Sequence, residues 1–366
     1  MTTPADIGHM HHALALGRRG LGRTLGNPSV GCVIVSSEGI VVGRGRTADG
    51  GIPHGEAVAL AQAGHAARGA TAYVTLEPCA AVTRTLSCAE SLIAAGIRRV
   101  VAAMEDPHPL TAGKGFAKLR AAGIEVATGV LADEAARSHA GFLMRLAQDR
   151  PLVTLKIAQS LDGKTATVSG DSKWLTGAEA RRFGHLLRAQ NDAILVGINT
   201  ALADDPELTC RIAGLQTHSP LRVVLDTRLR LHEGSKLAAT AAQTPTLVFT
   251  AAAGGGAGLA AAGVEVIRVA RDARGRPDLA AMLGELAKRG VTRLLVEGGA
   301  TVHAAFLDRG VADALEIFTA PMTLGGAGHS AIDALAALSL EEAPKFTRTS
   351  RREFGADVLE SYVRRA

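Results

Sequence analysis

His54-Gly55-Glu56 and Glu77-Pro78-Cys79, followed by Cys88, form the stretch that determines how the first half of this chain can be read. Zinc takes imidazole and thiolate ligands in a tetrahedron, and a catalytic zinc keeps its fourth position for water. His54, Cys79 and Cys88 would fill three corners. Because zinc lowers the pKa of a bound water from about 16 to about 7, hydroxide becomes available at neutral pH. The residues therefore predict a hydrolytic zinc site.

Glu56 lies two residues after His54 and is not needed as a ligand. On the first turn of a helix that begins near His54, its carboxylate can take a proton from water and pass it to a departing amine. This is the chemistry of deamination. A structural zinc, or no metal at all, is the alternative reading of one histidine and two cysteines, and it leaves Glu56 without a role.

The pattern is close to the zinc deaminase signature, H-x-E followed by P-C-x-x-C, in which the glutamate moves protons and is not a ligand. This chain departs from it in two places. Gly55 replaces the usual small alanine, which only weakens the start of a helix. Eight residues, 80–87, separate Cys79 from Cys88 instead of two. The long insert marks one particular branch of the superfamily.

Composition describes a protein of 366 residues with 47% hydrophobic residues and a net charge of +5. This length favours two domains, each able to bury its own core. No apolar run approaches the roughly 18 residues of a membrane span, and the N-terminus lacks a leader pattern, so a cytoplasmic protein is expected. Cys32 and Cys210 are expected to pack in the interior. The mild charge suits a phosphorylated small molecule or a weak nucleic-acid contact.

Strand and helix patterns alternate along both halves. Residues 30–35 are a continuous apolar run, typical of a strand covered on both faces. Charge and a proline interrupt the pattern at residues 148–151, which predicts domains at 1–148 and 149–366. In the second half, apolar runs alternate with helical stretches, which indicates a mostly parallel sheet with helices on its faces. The Ala/Gly run 251–263 is expected to be a flexible surface loop.

A phosphate-binding candidate follows a predicted strand in the second half. Leu294-Leu295-Val296 leads into Glu297-Gly298-Gly299 and then into a helical stretch at 300–308. Bare backbone N–H groups at a helix N-terminus suit a pyrophosphate, although a tight turn explains the two glycines equally well. No G-x-G-x-x-G follows a strand, which disfavours an ordinary Rossmann dehydrogenase.

Motifs along nearly the whole chain resemble the family of bifunctional riboflavin biosynthesis deaminase/reductases. The deaminase half is matched by Asn27-Pro28-Ser29-Val30-Gly31-Cys32, Pro53-His54-Gly55-Glu56, Thr75-Leu76-Glu77-Pro78-Cys79 and Asp106-Pro107-His108-Pro109. The reductase half is matched by Lys156, Ser160-Leu161-Asp162-Gly163-Lys164, Leu202-Ala203-Asp204-Asp205-Pro206, Leu208-Thr209, Arg211 and Val296-Glu297-Gly298-Gly299. The resemblance implies an α/β protein with an N-terminal cytidine-deaminase-like α/β/α domain and a C-terminal dihydrofolate-reductase-like domain.

The family deaminates 2,5-diamino-6-(5-phosphoribosylamino)pyrimidin-4-one and then reduces its ribosyl chain to a ribityl chain with NADPH. By this resemblance, His54, Cys79 and Cys88 bind Zn²⁺ and Glu56 transfers protons. Asn27 would hold the pyrimidine edge. Arg84, in the long insert, would meet the ribose phosphate.

In the reductase half, the resemblance implies two sets of binding residues. Positions that contact NADPH are Ala158, Trp174, Thr200, Asp204, Thr227, Gly299, Ala300, Thr301, Val302, His303, Ala304 and Ala305. Positions that hold the pyrimidine and its phosphate are Lys156, Ser172, Arg188, Leu208, Arg211 and Glu297. Arginines 188 and 211 offer the guanidinium forks that a phosphate prefers. The acid that assists hydride transfer is left open among Lys156, Asp204 and Glu297, and Trp174 could equally be a core residue.

The insert between the cysteines departs from the family. The family usually reads S-H-x-G-[KR]-T-P-P there, whereas this chain has Ala81 and Thr83 in place of the histidine and the glycine. An enzyme with only the reductase active is therefore an alternative. A nucleic-acid deaminase would explain only the first half and would need aromatic residues, which are 3% of the chain. A zinc-stabilised scaffold is a third reading. We expect phosphorylated pyrimidine substrates, no nucleic-acid or membrane partner, and a homo-oligomer.

Overall fold

The computed structural model describes residues 3–80, 86–109 and 111–365. The chain divides into two compact units, Met1–Asp149 and Arg150–Ala366, and each is described by itself.

Unit 1 alternates helices and strands. Its helices are α1 (Pro4–Arg18), α2 (Gly55–Ala63), α3 (Cys88–Ala94), α4 (Lys114–Ala121) and α5 (Ala132–Gln148), with a 3-10 turn at Gly64–Ala67. Its strands are β1 (Gly31–Val35), β2 (Val41–Arg46), β3 (Thr71–Val74), β4 (Arg99–Ala102) and β5 (Glu125–Thr128). The sheet order is β2-β1-β3-β4-β5, with β1 antiparallel to both neighbours and β3, β4 and β5 parallel.

The apolar run of β1 shows why this sheet lies between two helical layers. Cys32 and Ile34 pack on one face with residues of α2, α3 and α4. Val33 and Val35 point to the other face and pack with residues of α1 and α5. Because side chains alternate along a strand, a strand that is apolar at every position must be covered on both sides. The predicted α/β/α arrangement is confirmed.

Gly45 of β2 sets how closely α2 lies on this sheet. A Cβ atom at position 45 would come within 2.2 Å of the Gly55 carbonyl oxygen and 2.6 Å of the Ala59 nitrogen. Backbone atoms cannot yield as a flexible side chain does, so any larger residue would push the first turn of α2 outward. That turn carries Glu56.

Unit 2 is larger. Its strands are β6 (Leu152–Ser160), β7 (Lys164–Ala166), β8 (Ala193–Gly197), β9 (Leu221–Leu225), β10 (Thr246–Thr250), β11 (Glu265–Arg268), β12 (Arg293–Gly298), β13 (Ala314–Ala320), β14 (His329–Ser330), β15 (Phe346–Phe354) and β16 (Asp357–Arg364). Its helices are α6 (Ala178–Ala189), α7 (Ile198–Asp204), α8 (Lys236–Ala239), α9 (Ala257–Ala261), α10 (Leu279–Lys288) and α11 (Ala300–Asp308), with a 3-10 turn at Gln216–His218.

The main sheet of unit 2 has the order β11-β10-β9-β8-β12-β6-β13-β16-β15. Its strands are parallel from β11 to β13, and β16 and β15 are antiparallel additions. One face packs against α10 and α11. The other packs against α6, α7, α8 and α9. The carboxyl ends of the parallel strands therefore share one edge, which is where ligands bind in open α/β sheets.

Two features of unit 2 differ from the sequence-based expectation. The Ala/Gly run is not a plain loop, because residues 257–261 form α9 and Leu259 is buried in the core. The hairpin of β15 and β16 was not predicted. Its strands carry many exposed charged side chains, so their hydrophobic alternation is weak. No helix within the described ranges has the length and apolar character needed to cross a membrane.

Candidate active sites

The three predicted zinc ligands lie together. His54 Nδ1 is 3.2 Å from Cys88 Sγ and 3.7 Å from Cys79 Sγ, and the ligand atoms of all three residues lie within 4.8 Å of one another. In a tetrahedral zinc site with two sulfurs and a nitrogen, neighbouring ligand atoms are about 3.5 Å apart. The donor set and its spacing therefore fit zinc, with a fourth corner left for water.

Local sequence places each ligand. His54 is the N-cap residue of α2, and Cys79 follows β3. Cys88 is the first residue of α3, because Ser87 caps that helix in a capping box with Glu90. The Cys88 backbone N–H donates to Cys79 Sγ at 3.4 Å. A thiolate at a helix N-terminus is stabilised by the helix dipole and the free N–H groups.

Hydrogen bonding within the cluster already favours one thiolate. A hydrogen bond from Cys88, with a further one from His54, lowers the pKa of Cys79 to about 4. The pKa of Cys88 is raised, first because of its hydrogen bond to Cys79 and then because it is buried. A bound zinc would be held by both cysteines as thiolates, since a coordinating thiol gives up its proton.

Glu56 is buried next to the ligands, with 3% of its surface exposed. Within the described part of the chain, its Oε2 atom has no hydrogen-bond partner. Burial raises the pKa of this carboxyl above its ordinary value. A carboxyl group with a raised pKa and a free oxygen is suited to accept and return a proton near neutral pH.

Glu77 is a residue whose role the sequence reasoning missed. Its Oε1 atom accepts backbone N–H bonds from Gly115 and Phe116 at 2.8 and 3.1 Å, and its Oε2 atom accepts them from Gly113 and Asp106 at 3.0 and 3.2 Å. The buried carboxylate therefore joins the end of β3 to the first turn of α4. The acid of the E-P-C motif was the available signal, but its partners lie about 30 residues later and are backbone groups.

Of the two predicted substrate contacts of unit 1, Asn27 lies within the described residues. Asn27 is exposed, and its Nδ2 atom lies so close to Gly51 that a Cβ there would be 2.1 Å away. Asn27 therefore borders the loop that leads to His54. Arg84 lies outside the described residues, as do Ala81 and Thr83.

A second cluster lies in unit 2 and joins the half-buried side chains of Lys156, Arg188 and Glu297. Arg188 holds Glu297 through two hydrogen bonds, Nε to Oε1 at 2.8 Å and Nη2 to Oε2 at 2.7 Å. Its Nη1 atom donates to the Thr209 carbonyl oxygen at 3.0 Å. Lys156 is adjacent, because β6 and β12 pair in register with Leu155 opposite Val296.

The pKa values of Lys156 and Glu297 are both lowered, but by different causes. Burial lowers the pKa of Lys156, and the negative charge of Glu297 offsets only part of that effect. Burial acts to raise the pKa of Glu297, but the charge and hydrogen bonds of Arg188 lower it to about 2. Glu297 is therefore a carboxylate at neutral pH, while Lys156 loses its proton more readily than a free lysine does.

The glycine pair of unit 2 forms a bare cradle at the carboxyl edge of the sheet. The Gly298–Gly299 peptide is cis. Gly299 is the N-cap of α11 and has no side-chain cap bond, and a Cβ there would lie 3.1 Å from Thr200 Oγ1. Backbone N–H groups at a helix N-terminus without a side-chain cap fit the pyrophosphate of a dinucleotide.

Other predicted cofactor positions lie in different surroundings. Ala158, Thr200 and Thr227 lie at or near the carboxyl ends of β6, β8 and β9, and Asp204 is exposed at the end of α7. In α11, Ala300, Thr301, Val302 and Ala305 follow the glycine pair, but His303 and Ala304 are buried. His303 Nδ1 lies 3.0 Å from the Ala331 carbonyl oxygen, which points to a packing role for its ring.

The remaining predicted positions follow β7 or surround α6. The core reading of Trp174 is wrong, because 68% of it is exposed and the Arg181 guanidinium lies 4.5 Å from its ring centroid. Ser172 is exposed beside it, and Leu208 is buried. Arg211 is exposed and lines a cavity of about 380 Å³ together with Ala178, Arg181, Arg182, His185, Ile212 and Ala213. Arg211 and Arg188 differ in their partners, since Arg188 is held by Glu297 and Thr209, whereas the exposed Arg211 makes one surface ion pair, from Nη1 to Glu207 Oε2 at 3.2 Å.

Comparison with known proteins covers both units. Residues 4–104 match the model of the cytidine and deoxycytidylate deaminase zinc-binding region, and residues 151–359 match that of the RibD C-terminal domain. The riboflavin biosynthesis protein RibD of Aquifex aeolicus is 41% identical over 360 residues, covering 98% of each chain.

Two solved structures are similar over almost the full length. Acinetobacter baumannii RibD is 37% identical with a TM-score of 0.87, covering 99% of each chain. A Thermotoga maritima protein, described as a diaminohydroxyphosphoribosylaminopyrimidine deaminase/5-amino-6-(5-phosphoribosylamino)uracil reductase, is 32% identical with a TM-score of 0.85 and the same coverage. With the zinc triad in unit 1 and the reductase fold in unit 2, the chain belongs to the RibD family of bifunctional riboflavin biosynthesis deaminase/reductases.

Proposed function

We propose that residues 1–148 deaminate 2,5-diamino-6-(5-phosphoribosylamino)pyrimidin-4-one and that residues 149–366 reduce the ribosyl chain of the product to a ribityl chain with NADPH. The observation that carries the deaminase half is Glu56, a buried carboxyl with a free oxygen beside three zinc ligands. Family membership supports the pairing of the two activities.

In the deaminase, the zinc ligands, Glu56, Asn27 and Arg84 have different roles. Zinc, when bound, lowers the pKa of water so that a nucleophile is available at neutral pH. Glu56 takes the proton of that water and passes it to the amine that leaves, so that ammonia departs and a carbonyl replaces it on the ring. Asn27 holds the pyrimidine edge, and Arg84 meets the phosphate; both roles come from the resemblance.

In the reductase, Lys156 is the proposed proton donor. Reduction adds a hydride to the sugar carbon and a proton to the ring oxygen that separates from it, and NADPH, when bound, supplies the hydride. Glu297 is unsuited to give the proton, because its pKa of about 2 keeps it ionised. Asp204 lies exposed at the end of α7. Lys156 is half-buried beside Glu297, and its lowered pKa makes proton release easier.

Arg188 and Arg211 take different parts in this proposal. Arg188 orients Glu297, which then accepts hydrogen bonds from the pyrimidine. Arg211 is exposed at a cavity that Arg181 and Arg182 also line, which suits the substrate phosphate, and the phosphate would compete with Glu207 for the Arg211 guanidinium. Ser172 and Leu208 complete the substrate contacts on the resemblance alone.

A second candidate function is reduction without deamination. The observation that favours it is the replacement of the expected histidine and glycine by Ala81 and Thr83 in the insert between the zinc-ligating cysteines. An apolar residue there removes a polar group from a segment that would meet the substrate.

A two-stage assay on the purified chain separates the two candidates. Ammonia release is measured from the diaminopyrimidinone phosphate, and NADPH oxidation is then measured on adding the deaminated product directly. Both activities are expected. NADPH oxidation without ammonia release would support the second candidate, and absence of both would contradict the function proposed for either half. The homo-oligomer is also a proposal, and light scattering of the purified chain tests it.

A further inference from the structure

Neighbouring strands of unit 2 place the proposed cofactor residues in a row. Ala158 belongs to β6, Gly299 follows β12, Thr200 lies just after β8 and Thr227 follows β9. These four strands are adjacent in the sheet, in that order. With about 4.8 Å between neighbouring strands, the row spans roughly 14 Å along the carboxyl edge. A dinucleotide with its nicotinamide near β6 and its pyrophosphate at Gly299 therefore ends with its adenosine near β9.

The turn after β9 has a fixed backbone. Asp226 is completely buried, and its carboxylate accepts backbone N–H bonds from Arg228 at 3.3 Å and Leu231 at 2.8 Å. Thr250 Oγ1 donates to the Thr227 carbonyl oxygen at 3.3 Å. The two hydrogen bonds to its carboxylate bind Asp226 to the backbone of its own turn. A ribose lying at this edge would therefore meet no carboxylate from Asp226, the group that commonly binds the 2′-hydroxyl of NADH.

Two arginines extend from this turn into solvent. Arg230 is exposed, and its Nη2 atom donates to Asn199 Oδ1 at 2.6 Å. Asn199 precedes Thr200 in α7, so this contact brings the guanidinium to the part of the edge where the cofactor residues lie. Arg228 is also exposed. Across the described ranges, neither guanidinium lies within 4.0 Å of a carboxylate, so most donors of both remain available to a ligand.

We propose that Arg230, with Arg228 from the same turn, binds the 2′-phosphate of NADPH and makes unit 2 select NADPH over NADH. A guanidinium presents parallel N–H donors that match two phosphate oxygens, and a hydroxyl at the same position gives it no charge to pair with. The neutral Asn199 amide orients Arg230 without cancelling its charge. This inference rests on the proposed use of a nicotinamide cofactor and adds the residues that distinguish its two forms.

Calorimetric binding of 2′,5′-ADP and of 5′-AMP to the full chain tests the inference without turnover. The wild type is expected to bind 2′,5′-ADP more tightly than 5′-AMP. Arg230→Ala is expected to weaken 2′,5′-ADP binding about 10- to 100-fold and to leave 5′-AMP binding within about 2-fold. Arg228→Ala is expected to have a smaller effect in the same direction. Lys288→Ala is the matched control, because it removes the same charge at the amino edge of the sheet.

Three results would overturn the inference. One is equal binding of the two nucleotides by the wild type. Another is unchanged 2′,5′-ADP binding in the double variant of Arg228 and Arg230. The third is that Arg230→Ala weakens the binding of both nucleotides equally. Arg230→Lys, which retains the charge, checks that such a loss does not come from misfolding. NADH oxidation on the deaminated pyrimidine would then still support the proposed reductase, whereas loss of oxidation with both cofactors would contradict the reductase itself.

Discussion

Glu56 is buried in unit 1 and Glu297 is half-buried in unit 2, and their surroundings shift their pKa values in opposite directions. Glu56 has an oxygen without a partner in the described structure, and burial raises its pKa. Glu297 is held by both oxygens in the Arg188 fork, and its pKa is lowered to about 2. Burial alone does not decide the protonation state. A fixed guanidinium makes one glutamate a permanent anion, and its absence leaves the other able to exchange protons.

Glu56→Gln should give the largest effect, because an amide cannot accept the proton. Ammonia release is expected to fall about 10²- to 10⁴-fold, while zinc content and NADPH oxidation stay unchanged. Ammonia release and bound zinc are measured on the same preparation. Glu38→Gln, on the surface of unit 1, is the matched control. Retained deamination in Glu56→Gln would show that another group moves the proton.

Lys156→Met tests the group that faces Glu297. The change removes the proposed donor and leaves the Arg188–Glu297 pair in place, so NADPH oxidation is expected to fall about 100-fold. In the wild type, the rate should decline as pH rises through a value below the ordinary lysine pKa of 10.5, because only the protonated amine can donate. Stopped-flow rates across pH measure this limb, with Lys345→Met as control. A variant that keeps the same alkaline limb would remove Lys156 from the role.

Glu297→Gln tests whether the negative charge of Glu297 stabilises the fold of unit 2. The amide leaves the half-buried Arg188 charge without its partner, and the free energy of unfolding of unit 2 is expected to fall by about 3 kcal/mol at pH 7, the lower end of the range for buried pairs. The folded-state pKa of Glu297 is lowered from 4.5 to about 2. Its stabilisation is therefore present above about pH 4.5 and lost as pH falls through 2.

Urea denaturation of the wild type and Glu297→Gln at several pH values provides the measurement for that prediction. The difference between the two should shrink from pH 5 toward pH 2. Exposed Glu342→Gln should show no such trend. A difference independent of pH would mean that the carboxylate charge is not what stabilises the pair.

Glu77→Gln should give the smallest effect, because it changes support for the zinc site and not the site itself. The amide nitrogen would face two backbone N–H donors that now meet an oxygen, which costs about 1–3 kcal/mol of unfolding free energy in unit 1. Zinc should be lost to a chelator faster, since Cys79 is two residues away. Zinc release and the melting temperature are compared with Glu105→Gln, an exposed neighbour of the same segment. Unchanged zinc release would limit Glu77 to packing.

The zinc cluster could be predicted from the sequence because its residues lie within 35 positions and their types are specific to the metal. The β1 run and the alternation of strands and helices in the second half were also readable from hydrophobic patterns. The charged cluster of unit 2 was different. Lys156, Arg188 and Glu297 come from three separate elements, so their roles followed only from the family resemblance.

Other features had no usable sequence signal. The contacts of Glu77 are with backbone N–H groups, which every residue except proline carries. The β15–β16 hairpin is stabilised in part by cross-strand pairs such as Arg348 with Glu360, which appear in the sequence as ordinary surface charges. The helix within the Ala/Gly run depends on burial of Leu259, a tertiary contact that overrides local composition.

Gly45 never meets the metal, yet it governs the chemistry at a distance of one helix turn. The backbone of α2 packs directly against it. The size of residue 45 therefore sets the distance of His54 and Glu56 from the two cysteines. A comprehensive substitution scan should find position 45 nearly as intolerant as the zinc ligands themselves. A position in this protein can therefore be intolerant of substitution because it sets the distance between two elements, even when its side chain takes no part in the chemistry.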